Sequence, residues 1–158
     1  MANKLQHEIK QGRPFSSLEQ EAALNIQRTA DDLQRTFAKL IKPFGITPTQ
    51  YNVLRILRGA AQTGLRCAEI SERQISREPD ITRLIDRLQR LKLVRRKRDP
   101  QDRRVVHNYI TEEGLEKLAA LDPLIGPAIK DQLGHMGDER LSLLIDLLEE
   151  ARANPSDS

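Results

Sequence analysis

The chain has 158 residues, of which 38% are hydrophobic and only 3% aromatic, with one cysteine and no tryptophan. This length suffices for one domain with a core plus extensions, and a single cysteine excludes a disulfide framework within the chain. No N-terminal stretch has the apolar character of a signal peptide, and no segment reaches the ~20 apolar residues of a membrane span, so we expect a soluble cytoplasmic protein.

The net charge of +3 is unevenly distributed along the chain. Residues 83–104 contain ten basic and three acidic side chains, a net charge of +7, so the remaining residues together carry −4. A mildly acidic body with one strongly basic element is typical of a nucleic-acid binder. A run of like charge can also be a solvated face, so the sequence on either side of it is needed to distinguish a nucleic-acid-binding element from a solvated surface.

The first elements in chain order are a polar arm and a long helix. We expect residues 1–15 to form the arm, which ends in a Gly-Arg-Pro turn. The stretch Ser16 to Glu19 has the spacing of a capping box. Apolar residues then recur at helical spacing up to Pro43, which predicts a helix over about 17–41 within a dimerisation segment, 16–45.

Residues 46–111 are predicted to form a compact lobe that starts with three helices. The sequence Thr47-Pro48-Thr49-Gln50 is a second capping box, with proline at the first helical position. A short helix follows over about 66–73, and a third begins near Ser76–Pro79. This third helix has one apolar stripe and an opposite face that is largely cationic. The stripe consists of Ile81, Leu84, Ile85, Leu88 and Leu91.

The most basic stretch of the lobe, RRKRDPQDRR at residues 95–104, lies between two segments with strand character. Leu93-Val94 begins an extended run, and residues 105–110 are rich in β-forming side chains. Asp99-Pro100 between them is a turn signal. The basic residues are therefore predicted to lie on a β-hairpin, because a disordered tail would not be bracketed in this way.

Residues 112–152 are predicted to form two further helices. Thr111 caps the first, which Pro123 and Pro127 should interrupt or kink. Gly137-Asp138 introduces the second, and residues 153–158 are expected to be a disordered tail. The terminal helices contain more leucine and isoleucine than one chain can cover, which predicts a homodimer.

Together these elements predict a mainly α fold with a small β-hairpin wing, a winged helix-turn-helix. The segment ITRLIDRLQRLKLVRRKRDPQDRRVVHNYITEEG resembles the recognition helix, wing and following helix of the MarR family of bacterial transcription regulators. The resemblance implies an obligate homodimer, joined by its N- and C-terminal helices, that binds pseudo-palindromic double-stranded DNA. It also implies that a small anionic or phenolic effector, or an oxidant, releases the DNA.

The resemblance assigns DNA-binding residues to the wing and the recognition helix. Asp102 matches the family's wing aspartate and Arg104 the arginine two residues later, and Arg103 is the adjacent basic residue at the tip. We therefore expect Arg103 or Arg104 to enter the minor groove while Asp102 holds an arginine in place. The other expected wing contacts are Arg95, Arg96 and Arg98. The expected recognition-helix residues are Arg77, Asp80, Thr82, Arg83, Arg87 and Arg90.

Two positions depart from the family pattern. Glu78-Pro79-Asp80 precedes the recognition helix where small hydroxyl residues are common, and acids repel phosphate unless one accepts a bond from cytosine. Lys92 stands where glycine often ends the recognition helix. A non-glycine residue in a left-handed conformation would cost about 1 kcal/mol there.

The remaining chemically reactive side chains give weaker signals. Cys67 is expected to be a packing residue rather than a redox sensor. The three histidines lack metal-ligand spacing, so we predict no metal, no cofactor and no enzyme. An effector pocket, if one exists, should lie near Phe37, Phe44 and Tyr51. Two alternatives to a regulator stay open, a winged-helix protein-interaction module and a non-specific architectural DNA binder.

Overall fold

The computed structural model describes residues 4–153, and within that range the chain forms seven α-helices and one β-hairpin. The helices before the hairpin are α1 (Lys4–Glu8), α2 (Leu18–Ile41), α3 (Pro48–Gly59), α4 (Cys67–Arg73) and α5 (Ile81–Arg90). The hairpin consists of β1 (Val94–Arg98) and β2 (Val106–Ile110). The chain ends in α6 (Glu112–Leu133) and α7 (Asp138–Arg152). The predicted winged-helix architecture is confirmed.

The hydrophobic core lies inside the lobe formed by α3, α4, α5, the hairpin and the start of α6. Its fully buried side chains come from each of these elements and from the end of α2. They are Ile41, Val53, Leu54, Leu57, Ile70, Ile85, Leu88, Val94, Leu118 and Leu121. Because every helix of the lobe contributes to one cluster, the surface that these helices present is held as a unit.

The hairpin is antiparallel, with Val94 opposite Ile110 and Arg98 opposite Val106. A bridge at Leu65 extends it, since Leu65 and Asn108 exchange backbone hydrogen bonds of 3.0 and 2.8 Å. The fully buried Asn108 adds a bond from its side-chain amide to the Leu65 carbonyl, 2.9 Å. The base of the wing is thus bonded to the segment that precedes α4.

The helix starts are mostly those that the sequence predicts. Thr47 and Gln50 form the predicted capping box of α3, and Thr111 caps α6 by accepting from Gly114 N–H, 3.1 Å. At α2 the cap lies one residue later than predicted, because the Ser17 hydroxyl accepts from the Gln20 N–H.

Lys92 adopts the left-handed conformation that ends α5, with φ of 61°. The Leu93 N–H donates to the Leu88 carbonyl and the Lys92 N–H to the Gln89 carbonyl, at 3.0 and 2.9 Å. This is a Schellman motif, and buried Leu88 and Leu93 supply the apolar side chains that usually accompany it. The turn therefore keeps its usual form without glycine.

Several predicted boundaries were wrong. Helix α5 starts at Ile81 and not near Ser76–Pro79, because Asp80 is its N-cap. Leu91 is 47% exposed and does not belong to the buried stripe, because the helix has ended there. The predicted arm contains α1, whose Leu5 is buried. The predicted disordered tail lies outside the described residues, apart from Ala153.

Helix α6 runs through Pro123 and Pro127 without interruption, so of the predicted interruption or kink the interruption is wrong. Both prolines are exposed, so water can bond the carbonyl groups that lose their helical partners. No helix among residues 4–153 is both long and apolar enough to cross a membrane.

Candidate nucleic-acid interface

The exposed face of α5 is lined by arginines at helical spacing. Arg83, Arg87 and Arg90 recur at i, i+4 and i+7, which places them along one side of the helix. All three are exposed, whereas Leu84, Ile85 and Leu88 on the other side are buried in the core. The buried residues fix the helix, so the cationic stripe has a defined direction.

The first arginine of the stripe, Arg83, is paired with the residue that caps the helix. Asp80 Oδ1 accepts a hydrogen bond from the Arg83 N–H at 3.0 Å, and Asp80 Oδ2 forms an ion pair with Arg83 Nε at 3.0 Å. Arg87 and Arg90 have no carboxylate within ion-pair distance in the described part of the chain. The stripe thus contains one arginine that is paired with an acid, Arg83, and two that are not, Arg87 and Arg90.

The other residues predicted for the recognition helix lie at its edges. Arg77 is exposed in the loop before α5. Thr82 is exposed on the first turn and, with Cys67, Arg96 and Arg98, lines a cavity of about 420 Å³ between α4, α5 and the wing. The structure therefore places Arg77 off the helix, since α5 begins at Ile81.

Two arginines of strand β1 have partners within the lobe. Arg96 Nη2 lies 2.6 Å from Asp86 Oδ1 of α5, which links the wing to the recognition helix. The Arg95 guanidinium lies 4.4 Å from the ring centroid of Tyr109 on β2, a cation–π contact. Both residues were predicted as DNA contacts of the wing, and here both side chains contact other residues of the lobe.

The wing turn is organised by Asp99. Its Oδ1 accepts from the N–H groups of Gln101 and Asp102, at 2.8 and 3.0 Å. Those two bonds, together with the nearby His107 imidazole, hold the pKa of the Asp99 carboxyl below its ordinary value. Asp99 N–H also donates to the Val105 carbonyl at 2.9 Å, which closes the turn.

The wing tip presents Arg103 and Arg104 on this ordered turn. Asp102 Oδ1 accepts from both the backbone N–H and the Nε–H of Arg104, at 3.0 and 3.2 Å. The Arg104 side chain is nevertheless 92% exposed, so its terminal nitrogens face solvent. Arg98 Nη1 donates to the Arg103 backbone carbonyl at 3.4 Å. The Arg103 guanidinium itself forms no ion pair or hydrogen bond among residues 4–153.

Asp80 and Asp86 act here in ways that the sequence reasoning missed. The spacing of Asp80 and Arg83 is a local signal, because side chains three apart on a helix are neighbours. The pairing of Asp86 with Arg96 joins residues from different elements, and no local pattern could have indicated it. Tyr109 was likewise missed, since its ring meets Arg95 only when the strands pair in the observed register.

A second site lies between α2, α3, α6 and the loop before α5, where a cavity of about 490 Å³ is open to solvent. Phe37 and Tyr51 line it and contact each other edge to face, with ring centroids 5.1 Å apart. Burial raises the pKa of the Tyr51 phenol, so the hydroxyl stays protonated at neutral pH. The other lining residues are Gln34, Pro48, Thr49, Asn52, Arg55, Ile75, Ser76, Ile125 and Ile129.

Phe44, the third aromatic residue predicted for this pocket, does not line it. Phe44 packs against the core cluster, and its carbonyl accepts from Lys117 Nζ at 2.6 Å. Cys67 is half-buried and also packs against the core, with its Sγ 3.7 Å from the Asn108 amide nitrogen.

The lobe and the whole chain both have relatives among known proteins. A sequence model described as MarR family matches residues 44–105. A crystal structure of a MarR transcription factor from Planctomyces limnophilus is 40% identical, with a TM-score of 0.66, over 85% of this chain and 98% of that one.

Two further relatives extend the comparison. The HTH-type transcriptional regulator MhqR from Bacillus subtilis is 28% identical over 116 residues, which are 73% of this chain and 79% of MhqR. A mutant of MarR from Escherichia coli, solved with operator DNA, has a TM-score of 0.77 at 23% identity, over 87% of this chain and all of that one. The last likeness shows a shared fold.

Proposed function

The chain belongs to the MarR family of transcription regulators, and from this premise we propose that it is a homodimeric repressor that a small molecule releases from its operator DNA. It binds DNA through α5 and the wing. The observation that carries this proposal is that two cationic elements, α5 and the wing, are anchored in the same core. The buried face of α5 and the base of the wing pack into one core, and the pair of Arg96 and Asp86 joins the two elements.

The dimensions of DNA assign a groove to each element. The major groove is about 12 Å wide and admits an α-helix, so α5 lies there with Arg83 toward base edges and Arg87 and Arg90 toward phosphates. The wing tip reaches the adjacent minor groove with Arg103 or Arg104, since a flat, weakly hydrated guanidinium suits a narrow groove. Lys and Arg contacts to phosphate make the affinity strongly dependent on salt.

The homodimer is supported by the apolar side chains that the single chain leaves in water. Leu18 of α2 is 81% exposed, and Leu143, Ile145 and Leu147 of α7 are each more than half exposed. Exposed apolar patches of this kind normally mark interfaces. A two-fold dimer through these helices would place two copies of α5 about one DNA turn, ~34 Å, apart.

The proposed effector site is the cavity lined by Phe37 and Tyr51. A volume of about 490 Å³ suits a small molecule, and the lining combines aromatic and aliphatic walls with one charged side chain, Arg55. We infer an aromatic anion as the ligand class. Ile75 and Ser76, which also line the cavity, belong to the loop that leads into α5. A ligand there can therefore shift the start of α5 and its fit to DNA.

The test is a DNA titration by fluorescence anisotropy at several salt concentrations. The protein would be titrated against duplexes from its own upstream DNA and against a scrambled duplex. We expect the native site to bind at least ~10³-fold more tightly. Changing both Arg103 and Arg104 to alanine should remove most of that binding, while changing both Arg140 and Arg152 of α7 to alanine serves as a charge-matched control away from the wing.

The titration also separates the alternatives. Equal binding to both duplexes with a steep salt slope would indicate an architectural protein without sequence preference. No binding to either duplex at low salt would favour a protein-interaction module and contradict the proposal. Release of bound DNA by aromatic carboxylates, and its loss in Arg55→Ala, would support the effector site.

A further inference from the structure

The residue that precedes α5 makes two contacts to the same arginine. Asp80 is the N-cap, and its Oδ1 accepts from the Arg83 N–H at 3.0 Å. Its other oxygen, Oδ2, lies 3.0 Å from Arg83 Nε. Both oxygens of the carboxylate therefore face Arg83, one toward its backbone and one toward its side chain.

This arrangement restrains the Arg83 guanidinium without covering it. The Arg83 side chain is 79% exposed, and its contact with Asp80 is through Nε. Within residues 4–153, no ion pair or hydrogen bond engages its two terminal nitrogens. A guanidinium held at Nε presents these nitrogens as a planar fork, which matches the O6 and N7 acceptors of guanine in the major groove.

At the wing tip, an aspartate contacts both the backbone and the side chain of an arginine in a similar way. Asp102 accepts from the backbone N–H and the Nε–H of Arg104, as Asp80 faces those two groups of Arg83. Arg87 and Arg90 have no such partner in the described chain. On α5, therefore, one arginine is held in direction and two are free to follow the phosphates.

We propose that Asp80 determines base specificity by orienting Arg83 toward a guanine in each half-site. This inference rests on the proposed function, because it requires α5 to lie in the major groove. It accounts for an acid at the DNA-facing end of the helix, where an unpaired carboxylate would repel phosphate. Here the negative charge of Asp80 is compensated by the positive charge of Arg83, which it contacts.

The decisive variant is Asp80→Asn. Asparagine caps helices about as well as aspartate, so the helix start is retained. Its side-chain NH₂ group cannot accept from Arg83 Nε, so the orienting contact is lost. In vitro selection from a random duplex pool would first define the sites that the wild-type protein prefers. Affinities would then be measured for duplexes in which each guanine is replaced in turn by 7-deazaguanine, which lacks the N7 acceptor.

For the wild-type protein, we expect one guanine per half-site at which 7-deaza substitution lowers affinity roughly 2- to 12-fold, because it removes one of the two hydrogen bonds of a bidentate arginine contact, which together account for roughly 5- to 150-fold. In Arg83→Ala the same substitution should have no effect, and in Asp80→Asn the effect should be clearly smaller than in the wild-type protein. Arg90→Ala is the matched control, because loss of a phosphate contact lowers affinity for all duplexes and leaves the guanine effect intact.

Four results would overturn the inference. Asp80→Asn would bind every duplex more tightly with an unchanged guanine effect if Asp80 acted only as a repulsive charge. A preferred cytosine that Asp80→Asn loses and Arg83→Ala keeps would show that Asp80 itself reads a base. If the selection enriched specific sites but none contained a guanine sensitive to Arg83, the inference would fail and the regulator would stand. If no sequence were enriched, both would fail.

Discussion

The lobe that carries α5 and the wing differs from the terminal helices in the side chains that it exposes. In the lobe, basic side chains are exposed but several are placed by acids of the same chain, as in the pairs of Asp80 with Arg83, Asp86 with Arg96 and Asp102 with Arg104. In α2 and α7, apolar side chains are exposed and the described chain offers them no cover. The lobe thus buries its apolar side chains within one copy, whereas the terminal helices leave theirs exposed, and in the proposed dimer a second copy covers them.

The two regions differ in what their surface contacts contribute: the ion pairs of the lobe orient side chains before DNA binds, and the apolar faces of the terminal helices contribute free energy when they are buried. Local ion pairs at an exposed surface contribute little free energy of unfolding, typically below ~1 kcal/mol each, but they restrict the directions that an arginine samples. The apolar faces of the terminal helices carry much more free energy once they are buried. We therefore expect substitutions in the terminal helices to have the larger effects.

The largest expected effect is loss of the dimer. Replacing Leu143 and Leu147 by glutamate puts two charges on the exposed apolar face of α7 and should give monomers. Because specific binding then loses its second half-site, affinity for the operator should fall to the non-specific level, about 10³-fold or more. Analytical ultracentrifugation and anisotropy would measure the two effects. Ser142→Glu adds charge to the same helix at a polar position, and a dimer that survived Leu143 and Leu147 substitution would contradict the proposed interface.

A smaller effect is expected at the junction between the two regions. A Cβ on Gly114, in the first turn of α6, would lie 2.6 Å from the Leu93 carbonyl oxygen and 2.6 Å from Ile110 Cγ1. Gly114→Ala should therefore lower the free energy of unfolding by about 1–3 kcal/mol, as overpacking does. Gly59→Ala in α3, where a Cβ meets nothing within 4 Å, is the control. It should raise that free energy by up to ~1 kcal/mol, as measured by urea unfolding.

Next in size is the pair that joins the wing to α5. Asp86→Ala and Arg96→Ala should each weaken DNA binding by loosening the wing, and their effects should not add. A double-mutant cycle on the free energy of unfolding should give a coupling of about 0.5–1 kcal/mol, because both side chains are partly exposed. Full additivity in the cycle would mean that the pair does not hold the wing.

The smallest expected effect is a pH dependence of the wing turn. The pKa of Asp99 is lowered in the folded state, so its stabilising contribution is fully present above the ordinary value of 3.8. That contribution is lost as the pH falls toward the lowered folded pKa. The protection factors of the Gln101 and Asp102 amides, that is, their exchange rates relative to an unstructured chain at the same pH, should therefore fall as Asp99 becomes protonated. Asp99→Asn should remove the acid dependence, and an unchanged profile in that variant would contradict the assignment.

Much of the fold could be predicted from local patterns. Capping residues located the starts of α3 and α6, and the strand-forming segments around residues 95–104 located the hairpin. The error at the start of α5 arose because Pro79 resembles a first-turn proline, whereas the acid after it forms the cap. The error at Pro123 and Pro127 arose because the cost of proline depends on exposure of the released carbonyls.

The candidate sites were predictable in outline only. Every wing and recognition-helix residue predicted from the sequence lies in the lobe that carries α5 and the wing. The sequence did not indicate which arginines are paired with an acid and which are unpaired. Pairing depends on contacts between elements, such as that of Arg96 in β1 with Asp86 in α5. Similarly, Phe37 and Tyr51 line the cavity but Phe44 does not, because α2 has ended before Phe44 and the chain turns toward the core.

The sequence by itself determined the helix starts, the hairpin and the concentration of basic charge, because capping, alternation and turn preferences act between residues a few positions apart. Only the tertiary structure decided which acid pairs with which arginine, which aromatic rings share a cavity and which apolar faces remain uncovered. Those outcomes depend on how the elements pack, since burial and ion pairing require distances that no local pattern specifies.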